Sequence, residues 1–195
     1  MASKPLIVGI GGTTRANSST EKALRFTLGV CEKDGASTII FDGPTLDALP
    51  NYAPEKPDRV DEASDFVAAV RRADGIIVAT PGYHGTISGL VKNALDYVED
   101  LREDERVYWS GMPVGCIATG AGWQGTVTAL EALRAVAHAL RGWPTPLGAA
   151  INTSQPAFSP DGDPIDERVS FQLTTVAQEV MAFVRWRRAG EDPNG

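Results

Sequence analysis

Cysteine and histidine are scarce in this chain: its 195 residues include two of each. Cys31 and Cys116 lie far apart, one in an expected helix and one inside an apolar run. They therefore support neither a disulfide framework nor a metal-ligand cluster, and read as buried free thiols of a reducing compartment. His138 stands beside Ala137 and Leu140 and reads as a packed helix residue. No apolar run reaches the length that spans a bilayer, and no signal-like segment precedes the first strand. The expectation is a cytoplasmic chain without a membrane partner. Basic residues are outnumbered, for a net charge of −7, and the one basic cluster is Arg185, Arg187 and Arg188. Phosphate neutralisation along a nucleic acid needs a broader surface, so no nucleic-acid partner is expected. The trio reads as a solvated face or a complement to a helix dipole. There is no internal repeat and no low-complexity stretch.

What is present is alternation. Apolar runs at 5–10, 37–41, 75–79, 112–118 and 148–152 read as strands. Helical periodicity fills 19–32, 59–72, a stretch opening near Gly89, 126–140 and 166–187. A proline-rich connection covers 43–58, and 99–106 is a charged run that reads as a solvated helix end. Five strands separated by helices predict an α/β doubly wound, five-stranded parallel sheet with helices on both faces. Residues 1–188 form one domain in this reading, and 189–195 a flexible tail. Sheet connectivity alone leaves two main strand orders open.

Three connections stand out for glycine and hydroxyl content: 11–20, 80–89 and 119–125. Each follows a strand and leads toward a helix, a layout that aims free backbone N–H groups at a ligand above the sheet. The first is no P-loop, because no Gly-Lys-Ser/Thr triplet follows. It is no dinucleotide fingerprint either, since Thr14 stands where that motif wants Gly or Ala. Its residues Thr13, Arg15, Asn17, Ser18, Ser19 and Thr20 suit a phosphate monoester at a helix N-terminus, against the alternative of a capped helix in a polar loop. The second carries Pro81, Gly82, Tyr83, His84 and Gly85, and the third Thr119, Gly120, Gly122 and Trp123. None of the three loops holds a paired carboxylate, so the chemistry is left to the ligand.

The second loop and the helix after it have a relative. Pro81, Gly82, Tyr83, His84, Gly85 and Thr86, then Ser88, Gly89 and Leu90, then Lys92, Asn93, Ala94, Leu95 and Asp96, resemble the signature P-x-Y-N-x-S-x-P-G-x-L-K-N-A-[IL]-D. That signature marks the NADPH-dependent FMN reductases, flavodoxin-like flavoproteins. His84 replaces a frequent Asn, and Ser88 a frequent Pro. The first loop resembles the family's G-S-x-R-x-x-S stretch at Gly12, Thr13, Arg15 and Ser18.

The resemblance implies the flavodoxin-like strand order 2-1-3-4-5, which brings the three loops to one crevice. It further implies that Arg15, Ser18 and Thr20 contact the FMN phosphate, that 81–85 runs along the isoalloxazine edge, and that 119–123 holds its pyrimidine end. The implied cofactors are FMN with NADPH or NADH. The implied reaction passes hydride from nicotinamide to flavin N5, then on to a flavin, quinone or other small acceptor in ping-pong order, with no catalytic side chain and no metal. Alternatives are an FMN-dependent dehydrogenase oxidising a carbon substrate, or a flavodoxin-like electron carrier. A homodimer or homotetramer is implied too, with Tyr97, Tyr108 and Trp109 as interface candidates. Lys92 and Asn93 read as structural, and Trp123 as a pocket wall, subunit contact or loop anchor.

Overall fold

A computed structural model describes residues 3–191. Strands β1 (Leu6–Gly11), β2 (Ser37–Phe41), β3 (Gly75–Tyr83) and β5 (Pro113–Gly120) run parallel in the order β2-β1-β3-β5. Two short strands, β6 (Trp143–Pro144) and β7 (Ala149–Asn152), share the edge beyond β5, both parallel to it. This is the flavodoxin-like order, with the fifth position split between two pieces. The central strands alternate strictly. Val8, Ile10, Ile76, Val78, Val114 and Cys116 face one apolar cluster, while Ile7, Ile77, Ala79, Ile117 and Ile151 face the other. Both sheet faces are covered, so the strands read as continuous apolar runs.

Helices α1 (Ser19–Lys33) and α6 (Glu167–Glu191) cover one face. Helices α3 (Asp61–Arg72), α4 (Gly89–Asp96) and α5 (Trp123–Ala139) cover the other. Ser18 and Ser88 cap α1 and α4 by accepting from the amides of Glu21 and Val91. A short helix α2 (Gly43–Asp47), capped by Asp42, interrupts the proline-rich connection. The rest of that connection is held by Arg59, which forks onto Asp100 at 2.7 and 2.8 Å and lies over the rings of Tyr52 and Tyr97.

Several expectations change. Tyr97 and Trp109 are buried in the core, and Tyr108 packs against it with its hydroxyl donating to Glu99. Tyr97 and Trp109 thus offer no open face to another subunit, whereas Tyr108 is half-buried. The charged run is not simply solvated: Arg106 donates to the carbonyls of Val70, Arg71 and Ala73, capping the C-terminus of α3. Its partial burial pulls the guanidinium below its ordinary pKa. Arg187 and Arg188 both pair with Asp74, and Arg185 pairs with Asp34, so the basic trio clamps α6 to the sheet and to the end of α1. His138 is exposed on α5. Helix α6 continues through Ala189 and Gly190 to Glu191, and the rest of the expected tail, 192–195, lies outside the described residues. Cys31 and Cys116 are buried and unbridged, as expected. Among the described residues no helix is long and apolar enough to cross a membrane, and no group of His, Cys, Asp or Glu is placed to hold a metal.

Candidate functional site

The carboxyl ends of β1, β3 and β5 lie side by side, and a cleft of about 470 Å³ opens above them. Thr13, Thr14 and Arg15 line one wall, with Ser18, Ser19 and Thr20 at the start of α1. Pro81, Gly82 and Tyr83 form the floor, and Thr119, Gly120 and Ala121 the far wall. Pro81 stands opposite Thr119 in the ladder between β3 and β5, which fixes two of the loops against each other. A 2.7 Å hydrogen bond between the buried hydroxyls of Thr20 and Thr119 joins the third. The three loops therefore meet in one crevice.

The first loop is shaped from within. The Thr13 hydroxyl accepts from the Arg15 amide and donates to its carbonyl. Asn17 takes a left-handed conformation, φ 57°, which lets its amide reach the Glu21 carboxylate. Glu21 also accepts from Arg25, which bridges on to Asp42. The one acid of this segment is thus paired and directed away, and no carboxylate lines the cleft. The first amides of α1 have no intrahelical acceptor, and their end of the helix carries the positive dipole. The Arg15 guanidinium is exposed, without an ion-pair partner among the described residues. Hydroxyls, free amides and one cation make a donor set that fits a phosphate dianion.

In the second loop the strand does not stop where its glycines and proline suggest. β3 continues through Tyr83, turns at His84 and Gly85, and pairs back antiparallel as β4 (Thr86–Ile87). Both turn residues have positive φ, 50° and 84°, the pattern of a type I′ hairpin. Asn, Asp and His tolerate that region better than other side chains do, which accounts for His84 in place of Asn. His84 and Gly85 form the exposed tip and do not line the cleft. Gly82 does line it, yet its missing side chain answers to α5: a Cβ there would lie 2.9 Å from the Gly125 carbonyl oxygen. Tyr83 is 53 % exposed and stands between the main cleft and a recess of about 120 Å³ that reaches Ser88, Gly89 and Leu90.

The third loop is shorter than expected. β5 runs to Gly120 and α5 begins at Trp123, so Gly122 is a helix cap and Trp123 the first helical residue, 60 % exposed. Neither lines the cleft, nor does Asn17, which faces a neighbouring groove with Lys22 and Asp161. One lining residue went unforeseen. Thr153 follows β7 and donates its amide to Gly120 at 2.7 Å, and the end of a strand expected at the same sheet edge was the signal for it. Asn93 accepts from the Tyr52 amide and donates to the Pro50 carbonyl, and Lys92 pairs with Asp96. Both serve the scaffold.

The model of the NADPH-dependent FMN reductase family matches residues 5–155, a span that includes all three loops. The chain belongs to this family. It is an FMN reductase-type oxidoreductase whose cofactors are FMN and NAD(P)H. An NAD(P)H-dependent FMN reductase of Pseudomonas aeruginosa is 29 % identical over 185 residues, covering 93 % of this chain and 95 % of that protein. A 2-hydroxy-1,4-benzoquinone reductase of a Burkholderia species is 29 % identical over 157 residues, covering 78 % and 83 %. Among solved structures, a flavoenzyme NAD(P)H:(acceptor) oxidoreductase of Paracoccus denitrificans superposes with a TM-score of 0.76 at 22 % identity, covering 93 % of this chain and 96 % of that one.

Proposed function

We propose that the cleft holds FMN with its phosphate at the start of α1 and its ring over Pro81, Gly82 and Tyr83. The observation that carries this is the convergence of Arg15, the Ser18–Thr20 turn and the β3 end on one carboxylate-free crevice. Arg15 supplies charge, Ser18 and Thr20 supply fixed short donors, and the first amides of α1 complete the phosphate seat. Gly120 and Ala121 border the ring from the β5 side. Bound there, FMN would supply the hydride chemistry between NAD(P)H and a quinone, an azo compound or a second flavin. The protein would bind and orient the group, and donor and acceptor would use the same ring face in turn. No side chain lining the cleft is an acid or base fitted to proton transfer, and solvent supplies the proton. We place the chain in the cytoplasm, as a homo-oligomer.

The test is anaerobic addition of NADH or NADPH to the FMN-loaded protein, followed by a quinone, an azo dye or free FMN. Bleaching of the flavin absorbance by a nicotinamide, and its return on adding an acceptor, is the expected result. A flavin that neither nicotinamide reduces would overturn the reading.

A further inference from the structure

The first loop is held from outside the cleft, by a corner that belongs to none of the three loops. Ser18, Ser19, Thr20 and Glu21 have the spacing of a capping box, in which the acid accepts from the amide of the cap residue itself. Half of that box forms: the Ser18 hydroxyl accepts from the Glu21 amide at 3.2 Å. The other half is displaced by one residue. Glu21 Oε2 accepts from the Asn17 amide at 3.1 Å and not from that of Ser18. The amides of Ser18, Ser19 and Thr20 are thereby left without an acceptor among the described residues. Consecutive free amides at a helix start suit an anion, and the displacement adds the Ser18 amide to the row.

The arrangement carries an electrostatic cost. Glu21 is 9 % exposed and lies in the first turn of α1, where a carboxylate competes with an incoming phosphate for the same dipole. Left unopposed, that charge would repel a phosphate dianion and bear its own desolvation. Arg25 opposes it. Its Nε donates to Glu21 Oε1 at 2.8 Å, in the favourable acid-before-base order along the helix, and its Nη2 donates to Asp42 Oδ2 at 2.8 Å. Asp42 Oδ1 accepts from the amide and hydroxyl of Thr45, capping α2. The next residue grips the other end of the loop: a Cβ on Gly43 would overlap the Thr13 carbonyl oxygen. Thr13 and Asn17, which flank Arg15, are thus both fixed to the corner between β2 and α2. One is fixed by close contact, the other through Glu21, Arg25 and Asp42. Arg25 itself does not line the cleft.

We infer that Arg25 is a positioning residue for the flavin phosphate. It neutralises Glu21 and ties it to Asp42, so that Glu21 holds Asn17 in its left-handed turn without repelling the ligand. This rests on the phosphate seat proposed above. The test is fluorescence-quenching titration of FMN and of riboflavin against the full chain and two variants. One is Arg25→Met, which keeps an apolar stem and loses the charge; the other combines it with Glu21→Gln. Arg25→Met should bind FMN roughly tenfold more weakly, the order lost with one charge-assisted hydrogen bond, and should bind riboflavin as the wild type does. Unchanged riboflavin affinity shows that the ring site is intact. Adding Glu21→Gln removes the stranded charge, while the side-chain carbonyl still accepts from the Asn17 amide, and should recover most of the loss. A scaffold role alone gives the reverse, because the second substitution removes a further contact. Wild-type FMN affinity in Arg25→Met, equal losses of FMN and riboflavin, or a double variant no tighter than the single would each overturn the inference and leave the seat standing. A wild type that binds FMN and riboflavin alike would overturn the seat, and the role of Arg25 with it.

Discussion

Among the described residues Arg15 is the single cation lining the cleft, and in the proposed phosphate seat it sets how strongly FMN is held. A charge-assisted hydrogen bond contributes about 1.5–3 kcal/mol, so Arg15→Ala should weaken FMN binding roughly 10- to 100-fold. Riboflavin, which lacks the phosphate, should bind both proteins alike. Fluorescence-quenching titrations with the two ligands measure this, and an equal loss for both would remove Arg15 from the phosphate seat. The two thiols are the opposite case. Burial pushes both Cys31 and Cys116 up to about 12, with the carboxylates of Asp34 and Glu32 adding to the effect at Cys31. Native protein at pH 8 should therefore resist alkylation by iodoacetamide, and both thiols should react in urea. The linkage has a sign. Below pH ~9 the thiols are protonated in the folded and unfolded chains alike, so they add no pH dependence. As pH rises from about 9 toward 12 only the unfolded chain loses these protons, so stability falls across that window.

At the scale of elements, the β3–β4 hairpin is the most exacting piece of local geometry. A β-branched side chain at the left-handed position of His84 costs about 1–2 kcal/mol, so His84→Val should lower the unfolding midpoint while His84→Asn should not. Gly82→Ala drives a methyl toward the Gly125 carbonyl, and overpacking of this kind costs about 1–3 kcal/mol. Urea unfolding of the three variants checks both statements, and the Gly82 variant should also bind FMN less tightly because β3 must shift. The hairpin also shows where sequence patterns stop being informative. Pro81, Gly82 and Gly85 are turn residues by composition, so the end of β3 read as a loop; pairing with β5 on one side and β4 on the other overrides that tendency. The long apolar runs of β1, β3 and β5 were legible because both of their faces are buried. Strand β6 was not legible, because two residues carry no periodicity. Helix α2 hid behind its own Gly43 and Pro44, although Asp42 followed by Pro44 is a helix-start signal. Trp109 and Tyr97 flank charged residues and so read as surface; the partners that bury them, such as Leu140 and Pro50, are distant in sequence.

For the whole molecule, the cleft is assembled from segments more than a hundred residues apart, so occupying it should stabilise the entire domain. At a free FMN concentration 100 times the dissociation constant the gain is about 2.7 kcal/mol. For a chain of this size that corresponds to roughly 5–10 °C in the unfolding midpoint. Differential scanning fluorimetry with and without FMN should show one transition moving upward as a unit. The crevice itself was legible from loop composition combined with parallel topology. Membership of the lining was less so: Asn17, His84 and Trp123 share loops with lining residues, yet left-handed backbone conformations at Asn17 and His84 and the early start of α5 at Trp123 keep them out of it.

The contact between Thr20 and Thr119 has one more implication. Two hydroxyl groups own two hydrogens between them, and one is always spent on their mutual bond. The other must point outward, from whichever oxygen is the acceptor of the pair. A guest oxygen that has only lone pairs to offer receives that hydrogen and strengthens the chain behind it, whereas a guest bringing its own hydrogen has to reverse the pair first. Replacing either threonine with valine removes that choice, so the two substitutions should show strongly non-additive effects on FMN affinity.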